Sequence, residues 1–380
     1  MDLTDYRKQI DQIDRQLVDL FTQRMEVAAG IAQYKKANGL KVLDASRERA
    51  KLQQVTELAG EEMQDYTASL YSVLFELSRS YQGRLTREDT ALTTAITNAI
   101  EGTDRLFPER ASVACQGVEG AYSQLACQRL FRSPNEFYFD TFEAVFSAIE
   151  QGLCRYGVIP VENSTAGSVN AVYDLMMKHN FHIVRSVRIK VDHNLLAKPG
   201  TKLSDIKEIY SHGQAIDQCA KFLSTLKDVS VIRCENTAAA AKMVAQSGRS
   251  DVAALASRSC VELYGLQCLA PSCQDQGNNF TRFICITKDL EIYPGADRTS
   301  LMMVLPHRPG SLNKVLSRFY ALGINLNKLE SRPMPERNFE FMFYFDLETS
   351  VYSPQFIQLM GELQDICEEF NYLGSYSEVI

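Results

Sequence analysis

All eleven prolines of this 380-residue chain lie at or beyond Pro108. The first 107 residues have no proline and few glycines, which by elimination makes them helical. Their glycines fall where helices should end, at Gly39, Gly60 and Gly83. The spacing predicts helices over about 4–38, 45–59 and 62–82, followed by a polar helical tail and linker through 108.

In the first helix apolar residues recur at Leu3, Ile10, Leu17 and Ile31, with Ile13, Leu20 and Val27 as companions, a heptad-like seam. Arg24 stands on that seam where an aliphatic residue is expected. Lys35 lies eleven residues on, only about 20° away around the helix. Buried cations need compensation. Two readings stay open: an internal salt bridge or snorkelling, or a bound anion. Asp44, Arg47 and Glu48 open the second helix, and Ser78 and Gln82 stand at i and i+4 on the third. Alone, Asp44 reads as a helix cap and Ser78 with Gln82 as a surface pair. Arg7 precedes Arg24 by 17 residues, roughly 25 Å along a straight helix. It cannot share a small ligand with Arg24 of the same chain, so a catalytic Arg7 would have to serve a second copy.

From about residue 110 short β-branched runs alternate with helical stretches: SVACQ, YSQLACQRLF, EFYF, TFEAVFSAIEQG and RYGVIPV, then EIYSH, QAIDQCAKFLSTL, VSVIRC, NTAAAAKMVAQ and DVAALAS. This rhythm predicts parallel sheets with helices on their faces, in two lobes around a cleft. The last 80 residues read strand, helix, strand, strand, helix, strand, the ferredoxin-like order.

Three segments of the middle part carry polar clusters. VIPVENSTAGSV (158–169) holds Glu162, Asn163, Ser164 and Thr165. IYSHGQA (209–215) holds Ser211, His212 and Gln214. NNFTRFICI (278–286) holds Thr281 and Arg282. Taken singly, such residues cap helices or sit solvated at strand starts. In the last part, Gly310 of PGSL starts a helix after a proline.

Composition narrows the function classes. With 45% apolar and 23% charged residues the chain is of ordinary globular type, and its length suits two or three domains. No run of about 18 apolar residues marks a membrane span. The charged N-terminus lacks the apolar core of a secretion signal, so a cytoplasmic protein is expected. A net charge of −7 makes nucleic acid an unsuitable partner. The ten cysteines form no C-x-x-C pair and the five histidines are scattered, so reduced thiols and no metal are expected.

Residues 4–83, through Arg7, Asp11, Asp14, Leu17, Arg24, Lys35, Asp44, Arg47, Glu48, Ser78 and Gln82, resemble the all-helical chorismate mutases, which are intertwined dimers. The resemblance implies rearrangement of chorismate to prephenate without a cofactor. Arg7 of a partner, Arg24 and Arg47 would hold carboxylates, Lys35 and Gln82 would donate to the ether oxygen, and Glu48 would bind the hydroxyl. Asp44 and Ser78 complete that binding set. Residues 110–288 resemble the prephenate dehydratase domain through GVEGAYS, IPVENSTAGSV, SHGQ and NFTRF, with Ala121 and Gly213 as departures from the usual hydroxyl residue and proline. A two-lobed α/β fold similar to periplasmic binding proteins is implied, with Thr281 as the essential donor. Glu162 is implied as a positioning group or proton source. Asn163, Ser164, Thr165, Ser211, His212 and Gln214 would orient prephenate, and Arg282 would either anchor a carboxylate or support the loop.

PGSL and LESRP resemble the α+β ACT domain, with Ser311 in place of the usual alanine. There Gly310, Ser311, Leu312, Asn325, Glu330, Ser331 and Arg332 would frame a phenylalanine site. The implied organisation is a mutase over 1–90, a linker over 91–109, a dehydratase over 110–288 and a regulatory domain over 298–380, in a homodimer or larger homo-oligomer inhibited by L-phenylalanine. A second enzyme reading puts arogenate in the second step. A reading from another class makes residues 110–288 a non-catalytic ligand-binding regulator.

Overall fold

The computed structural model of the protein describes residues 2–40, 42–86, 90–334, 337 and 340–379. They divide into two compact units, residues 1–93 with 358–365, and residues 94–357 with 366–380.

The first unit is built on two long helices. α1 (Leu3–Ala37) is unbroken and opens on a reciprocal cap between Asp2 and Asp5. It buries only Ala28 and Ala32. Those two alanines, with half-buried Arg24 and Lys35, fall on one stripe at i, i+4, i+8 and i+11. The heptad residues before them stay open: Leu3, Ile10 and Leu17 are 54–65% exposed in the single chain. α2 (Ala45–Thr86) joins the two helices expected after residue 45, with a kink at Gly60 (φ 75°, ψ 168°), a backbone conformation that favours glycine. Residues 87–89 of the expected linker lie outside the described residues. α3 (Ala91–Gly102) corrects the polar tail expected there. Thr93, Ile96 and Ala99 are buried at three-residue spacing, and Ile96 is fully so.

The second unit begins with a lobe made of β1 (Ser112–Gln116), α4 (Tyr122–Leu130), β2 (Asn135–Phe139), α5 (Phe142–Glu150), β3 (Tyr156–Asn163), the short β4 (Gly167–Ser168), α6 (Asn170–Met176) and β5 (His182–Lys190). A second lobe follows: β6 (Asn194–Ala197), β7 (Glu208–His212), α7 (Gly213–Gln218), α8 (Ala220–Ser224), β8 (Ser230–Cys234), α9 (Thr237–Gln246), β9 (Val252–Ala256), α10 (Ser259–Tyr264) and β10 (Gln267–Ala270). The chain returns to the first lobe in β11 (Phe280–Thr287). The C-terminal part is β12 (Arg298–Val304), α11 (Ser311–Ala321), β13 (Asn325–Pro333), β14 (Phe341–Glu348), α12 (Pro354–Ile366) and β15 (Glu369–Val379), in the β-α-β-β-α-β order read from the sequence.

The sheets are mixed rather than wholly parallel. The second lobe orders its strands β10-β6-β9-β7-β8, with β7 parallel to β8 and β9 but β6 antiparallel to β9. In the first lobe β1 is parallel to β2 and β3, whereas β11 runs antiparallel between β3 and β5 because it arrives from the other lobe. β15 pairs with β5, so the C-terminal sheet continues the first lobe's sheet in the order β13-β14-β12-β15-β5-β11-β3-β1-β2. Gly374 makes this close approach: a Cβ there would stand 2.3 Å from the carbonyl oxygen of Ile183.

Candidate active sites

In the helical unit the stripe of α1 carries Arg24 and Lys35, neither of which forms a direct ion pair among the described residues, though the Lys35 charge acts on the Asp44 carboxylate. Arg24 Nη1 donates to the carbonyl of Leu74 at 3.4 Å and its guanidinium lies 5.9 Å from the Phe75 ring centre. Lys35 Nζ donates to the carbonyl of Val42 at 2.6 Å. Ser78 and Gln82 are buried, not a surface pair, and Gln82 Nε2 contacts Ser78 Oγ at 3.1 Å. The other end of the Gln82 amide is buried with no partner. Since the serine hydroxyl either donates or accepts, a rotated amide turns its NH₂ to that open side.

Asp44 caps α2, accepting from Arg47 N at 3.0 Å and Ser46 Oγ at 2.7 Å, and these bonds hold its carboxyl below the usual range. Glu48 pairs with Arg79, a residue the sequence reading missed, which also holds Glu76. Arg7 and Arg47 are exposed. Ser80 Oγ donates to Glu362 at 2.8 Å, and Thr90 Oγ1 to Gln364 at 3.0 Å, within the same unit.

In the second unit a cavity of about 600 Å³ opens between the lobes. Asn163, His212, Gln214 and Thr281 line it, as does Tyr122 of the GVEGAYS stretch, together with His193, Gln218 and Asn236, which the motifs did not point to. Its floor is a hydrogen-bonded chain of amides. Asn163 Oδ1 accepts from Thr165 N at 3.1 Å, Thr165 Oγ1 at 2.7 Å and Ala166 N at 2.9 Å. This leaves its Nδ2 to donate to Asn279 Oδ1 at 2.7 Å and Thr281 Oγ1 at 2.9 Å. Asn279 Nδ2 donates to Gln218 Oε1 at 3.0 Å, and Gln218 Nε2 to Thr165 Oγ1 at 3.0 Å. The chain crosses the cleft, since Gln218 belongs to the second lobe.

His193 is 3% exposed, and Gln218 Oε1 accepts its Nε2–H at 3.1 Å. Burial lowers the His193 pKa and so favours the neutral ring, whose Nδ1 faces the Tyr122 hydroxyl at 3.5 Å. That hydroxyl donates to the Asp192 carbonyl at 2.9 Å, and burial keeps it protonated.

Other expected site residues lie off the cavity wall. Ser211 is fully buried and donates to the Leu255 carbonyl at 2.8 Å. Ser164 shapes the loop, donating to the Asn278 carbonyl at 3.1 Å and accepting from Phe280 N at 2.9 Å. Thr165 acts through Asn163. Glu162 and Arg282 point to the opposite face of the sheet, because each is the strand neighbour of a cavity residue and side chains alternate. There Arg282, 5% exposed, pairs with Asp346 of β14, and its Nε stands 2.8 Å from Glu162 Oε1. Burial alone would depress the guanidinium, but the Asp346 charge raises it well above its ordinary value. The expected roles of Glu162 as proton source and Arg282 as carboxylate anchor in this cavity are therefore corrected.

Among the described residues no lysine or arginine lines the cavity. Backbone at the helix starts faces it instead. α4 begins at Ala121 with no side-chain cap, while α9 begins at Asn236, which caps Ala239 N at 2.7 Å. Gly120 (φ 90°) turns the chain into α4, and a Cβ there would press on Cys260 and Leu263 at 3.0 Å.

In the C-terminal part Gly310 (φ 82°) starts α11, and Ser311 and Leu312 line a cavity of about 370 Å³ with His307, Arg308 and Phe343. The remaining expected regulatory residues divide along β13. Asn325 and Ser331 are exposed, and Asn325 donates to Glu348 at 3.0 Å. Glu330 accepts from Ser168 Oγ at 2.5 Å, and Arg332 forks onto Asp174 of α6 at 2.8–2.9 Å, so both are engaged by the first lobe. Among the described residues no cluster suited to a metal occurs, and no helix is long and apolar enough to cross a membrane.

The family model for chorismate mutase type II matches residues 6–83, and that for prephenate dehydratase matches residues 113–291. A bifunctional chorismate mutase/prephenate dehydratase of Escherichia coli K12 is 30% identical over 378 residues, 97% of this chain and 95% of that protein. Arogenate dehydratase/prephenate dehydratase 1 of Arabidopsis thaliana is 38% identical over 281 residues, 70% of this chain and 71% of that protein. Among solved structures, a prephenate dehydratase from Arthrobacter aurescens in complex with L-Phe aligns over 70% of this chain and 89% of its own, with TM-score 0.65 and 26% identity. GqqA, described as a quorum quenching acylase, aligns over 70% of this chain and 98% of its own, with TM-score 0.64 and 30% identity. The chain belongs to the bifunctional chorismate mutase/prephenate dehydratases.

Proposed function

We propose that the chain runs two consecutive steps of phenylalanine biosynthesis, chorismate to prephenate in the helical unit and prephenate to phenylpyruvate in the cleft. The observation that carries the second step is the hydrogen bond from Asn163 Nδ2 to Thr281 Oγ1 at 2.9 Å. It occupies an acceptor position of the hydroxyl and leaves the threonine's own proton free to point into the cavity. Loss of water from prephenate needs a donor at the departing hydroxyl while the ring carboxylate leaves as carbon dioxide. Thr281 is that donor. Its hydroxyl is too weak an acid for full proton transfer, so it stabilises departing hydroxide or relays a proton. With no described cation on the wall, the substrate's carboxylates are met by backbone amides at the starts of α4 and α9. His212 and Gln214 orient the substrate from the second lobe.

In the first step a [3,3] shift breaks the ether carbon–oxygen bond and forms a carbon–carbon bond, with no proton transferred. Arg24, Arg47 and Arg7 of a second copy hold the two carboxylates. Lys35 and the open end of the Gln82 amide donate to the ether oxygen, Ser78 orients that amide, Glu48 accepts the substrate hydroxyl, and Asp44 fixes the start of α2. That Arg24 and Lys35 donate only to backbone carbonyls and form no direct ion pair among the described residues supports this anion site. The uncovered apolar first half of α1 supports a homodimer in which a second copy covers it.

L-phenylalanine binds beside Gly310, Ser311 and Leu312 and inhibits the dehydratase. The cavity there and the L-Phe complex of the Arthrobacter protein support this. Asn325 and Ser331, on the open face of β13, are offered to the ligand or to a second copy. Glu330 and Arg332 couple that strand to the first lobe. The ten free thiols support a reducing, cytoplasmic setting.

A second reading, with arogenate as the cleft's substrate, is favoured by the similarity to the Arabidopsis protein and by Glu235 on the cavity wall, where an ammonium group would be welcome. Incubating the full chain with chorismate, and separately with prephenate and arogenate, with and without phenylalanine, tests the proposal. Chorismate should give prephenate and then phenylpyruvate, with the second step slowed by phenylalanine. Consumption of chorismate with neither prephenate nor arogenate dehydrated would leave only the mutase.

A further inference from the structure

We propose that Asp346 and Lys328, both on the C-terminal sheet, are positioning residues for the dehydratase reaction. The inference rests on the dehydratase reading of the cleft and adds residues outside it. In the β3–β11 ladder Asn163 faces Thr281 and Glu162 faces Arg282. One cross-strand pair faces the cavity, and the next pair faces the C-terminal sheet. Immediately after Arg282 the register with β3 shifts, so only Thr281 and Arg282 continue this in-register pairing at the cavity end, while β5 flanks β11 on the other side. The charges on the far face add a side-chain hold to this short stretch.

Arg282 is buried and pairs with Asp346, itself 3% exposed. Asp346 is immobilised in turn by hydrogen bonds from the hydroxyls of Ser300 and Tyr344. Lys328 Nζ donates to Glu162 Oε2 at 2.7 Å and to Ser168 Oγ at 2.8 Å. Ser168 lies on β4, which folds back on β3 so that Glu162 pairs with Ser168 and Asn163 with Gly167. Lys328 thereby clamps both ends of the turn whose backbone amides donate to Asn163 Oδ1. Without Asp346 a guanidinium is left with too little compensation in a dry site, and the strand must move to relieve it. A shift of about 1 Å at Thr281 is enough to cost roughly 100-fold in rate.

The test uses full-length Asp346→Asn, Asp346→Glu, Lys328→Gln and Lys328→Arg. Prephenate kcat and KM, chorismate turnover and thermal unfolding are measured for each. The wild type is measured first, and its failure to dehydrate prephenate would remove the dehydratase reading itself. Asp346→Asn should lower kcat about 10- to 100-fold, with KM and chorismate turnover little changed in a chain still folded at the assay temperature. Asp346→Glu should recover part of the loss. Lys328→Gln should give a smaller fall in kcat that Lys328→Arg repairs. Wild-type kcat in folded Asp346→Asn, or Lys328→Arg no better than Lys328→Gln, would overturn the proposal. Should Asp346→Asn not fold, the Lys328 pair decides alone.

Discussion

The side-chain amide of Asn163 donates to Thr281 Oγ1 at 2.9 Å across the β3–β11 ladder, and three donors from residues 165 and 166 fix the orientation of that amide. The threonine hydroxyl is thus fixed as an acceptor on that side, which leaves its own proton for the donor role proposed for it. Asn163→Ala should lower prephenate turnover by about 10²- to 10³-fold, the size of effect seen when one preorganised donor is removed. Chorismate consumption should be untouched. Steady-state kinetics on both substrates checks this, and equal loss of both activities would point to unfolding instead.

Arg24 is assigned to the proposed mutase centre. Arg24→Ala should abolish most chorismate turnover, on the order of 10²-fold or more for loss of a carboxylate fork, while dehydration of supplied prephenate stays near wild type. Assaying the two steps separately separates the sites. A normal mutase rate in this variant would remove the anion reading of the stripe.

His193 and His182 titrate below their ordinary value of about 6.5, chiefly because burial penalises the charged ring. The unfolded chain takes up these protons near that value and the folded chain only at lower pH. Their contribution to stability is therefore fully present above about pH 6.5 and is lost as pH falls through the folded values. Thermal midpoints should fall on acidification through this window, and a His193→Gln/His182→Gln variant should show a shallower slope. Identical slopes would contradict the assignment.

Ile96 is fully buried on α3. Ile96→Ala should cost about 2–5 kcal/mol of stability in urea denaturation, the usual penalty for a cavity at an aliphatic core position. A change below about 0.5 kcal/mol would mean that the helix behaves as the polar linker expected from its sequence.

Much of this was legible in the residues. A missing imino acid and three glycines outlined the helices because proline and glycine act on the backbone directly. At Gly60 the backbone leaves helical geometry (φ 75°, ψ 168°), and one helix gives way to the next across a kink, as the glycine suggested. The dipeptides Glu162–Asn163 and Thr281–Arg282 were read as a single cluster, although strand alternation forbids neighbouring residues from sharing a face. That signal was available, and it would have sent Glu162 and Arg282 to the far side. Gln218 and His193 were not legible, because they meet the site across the cleft and neither sits in a motif, whereas Asn279 opens the NFTRF stretch and could have been picked out. The buried stripe of α3 was present as well, at Thr93, Ile96 and Ala99, but its threonines disguised it as polar.

The most direct test of the account follows three compounds at once in full-length Thr281→Ala given chorismate. Chorismate should disappear at the wild-type rate and prephenate should accumulate, with phenylpyruvate formation reduced by about 10²- to 10⁴-fold. Phenylpyruvate appearing at the wild-type rate would contradict the assignment of Thr281 and, with it, the chemistry proposed for the cleft.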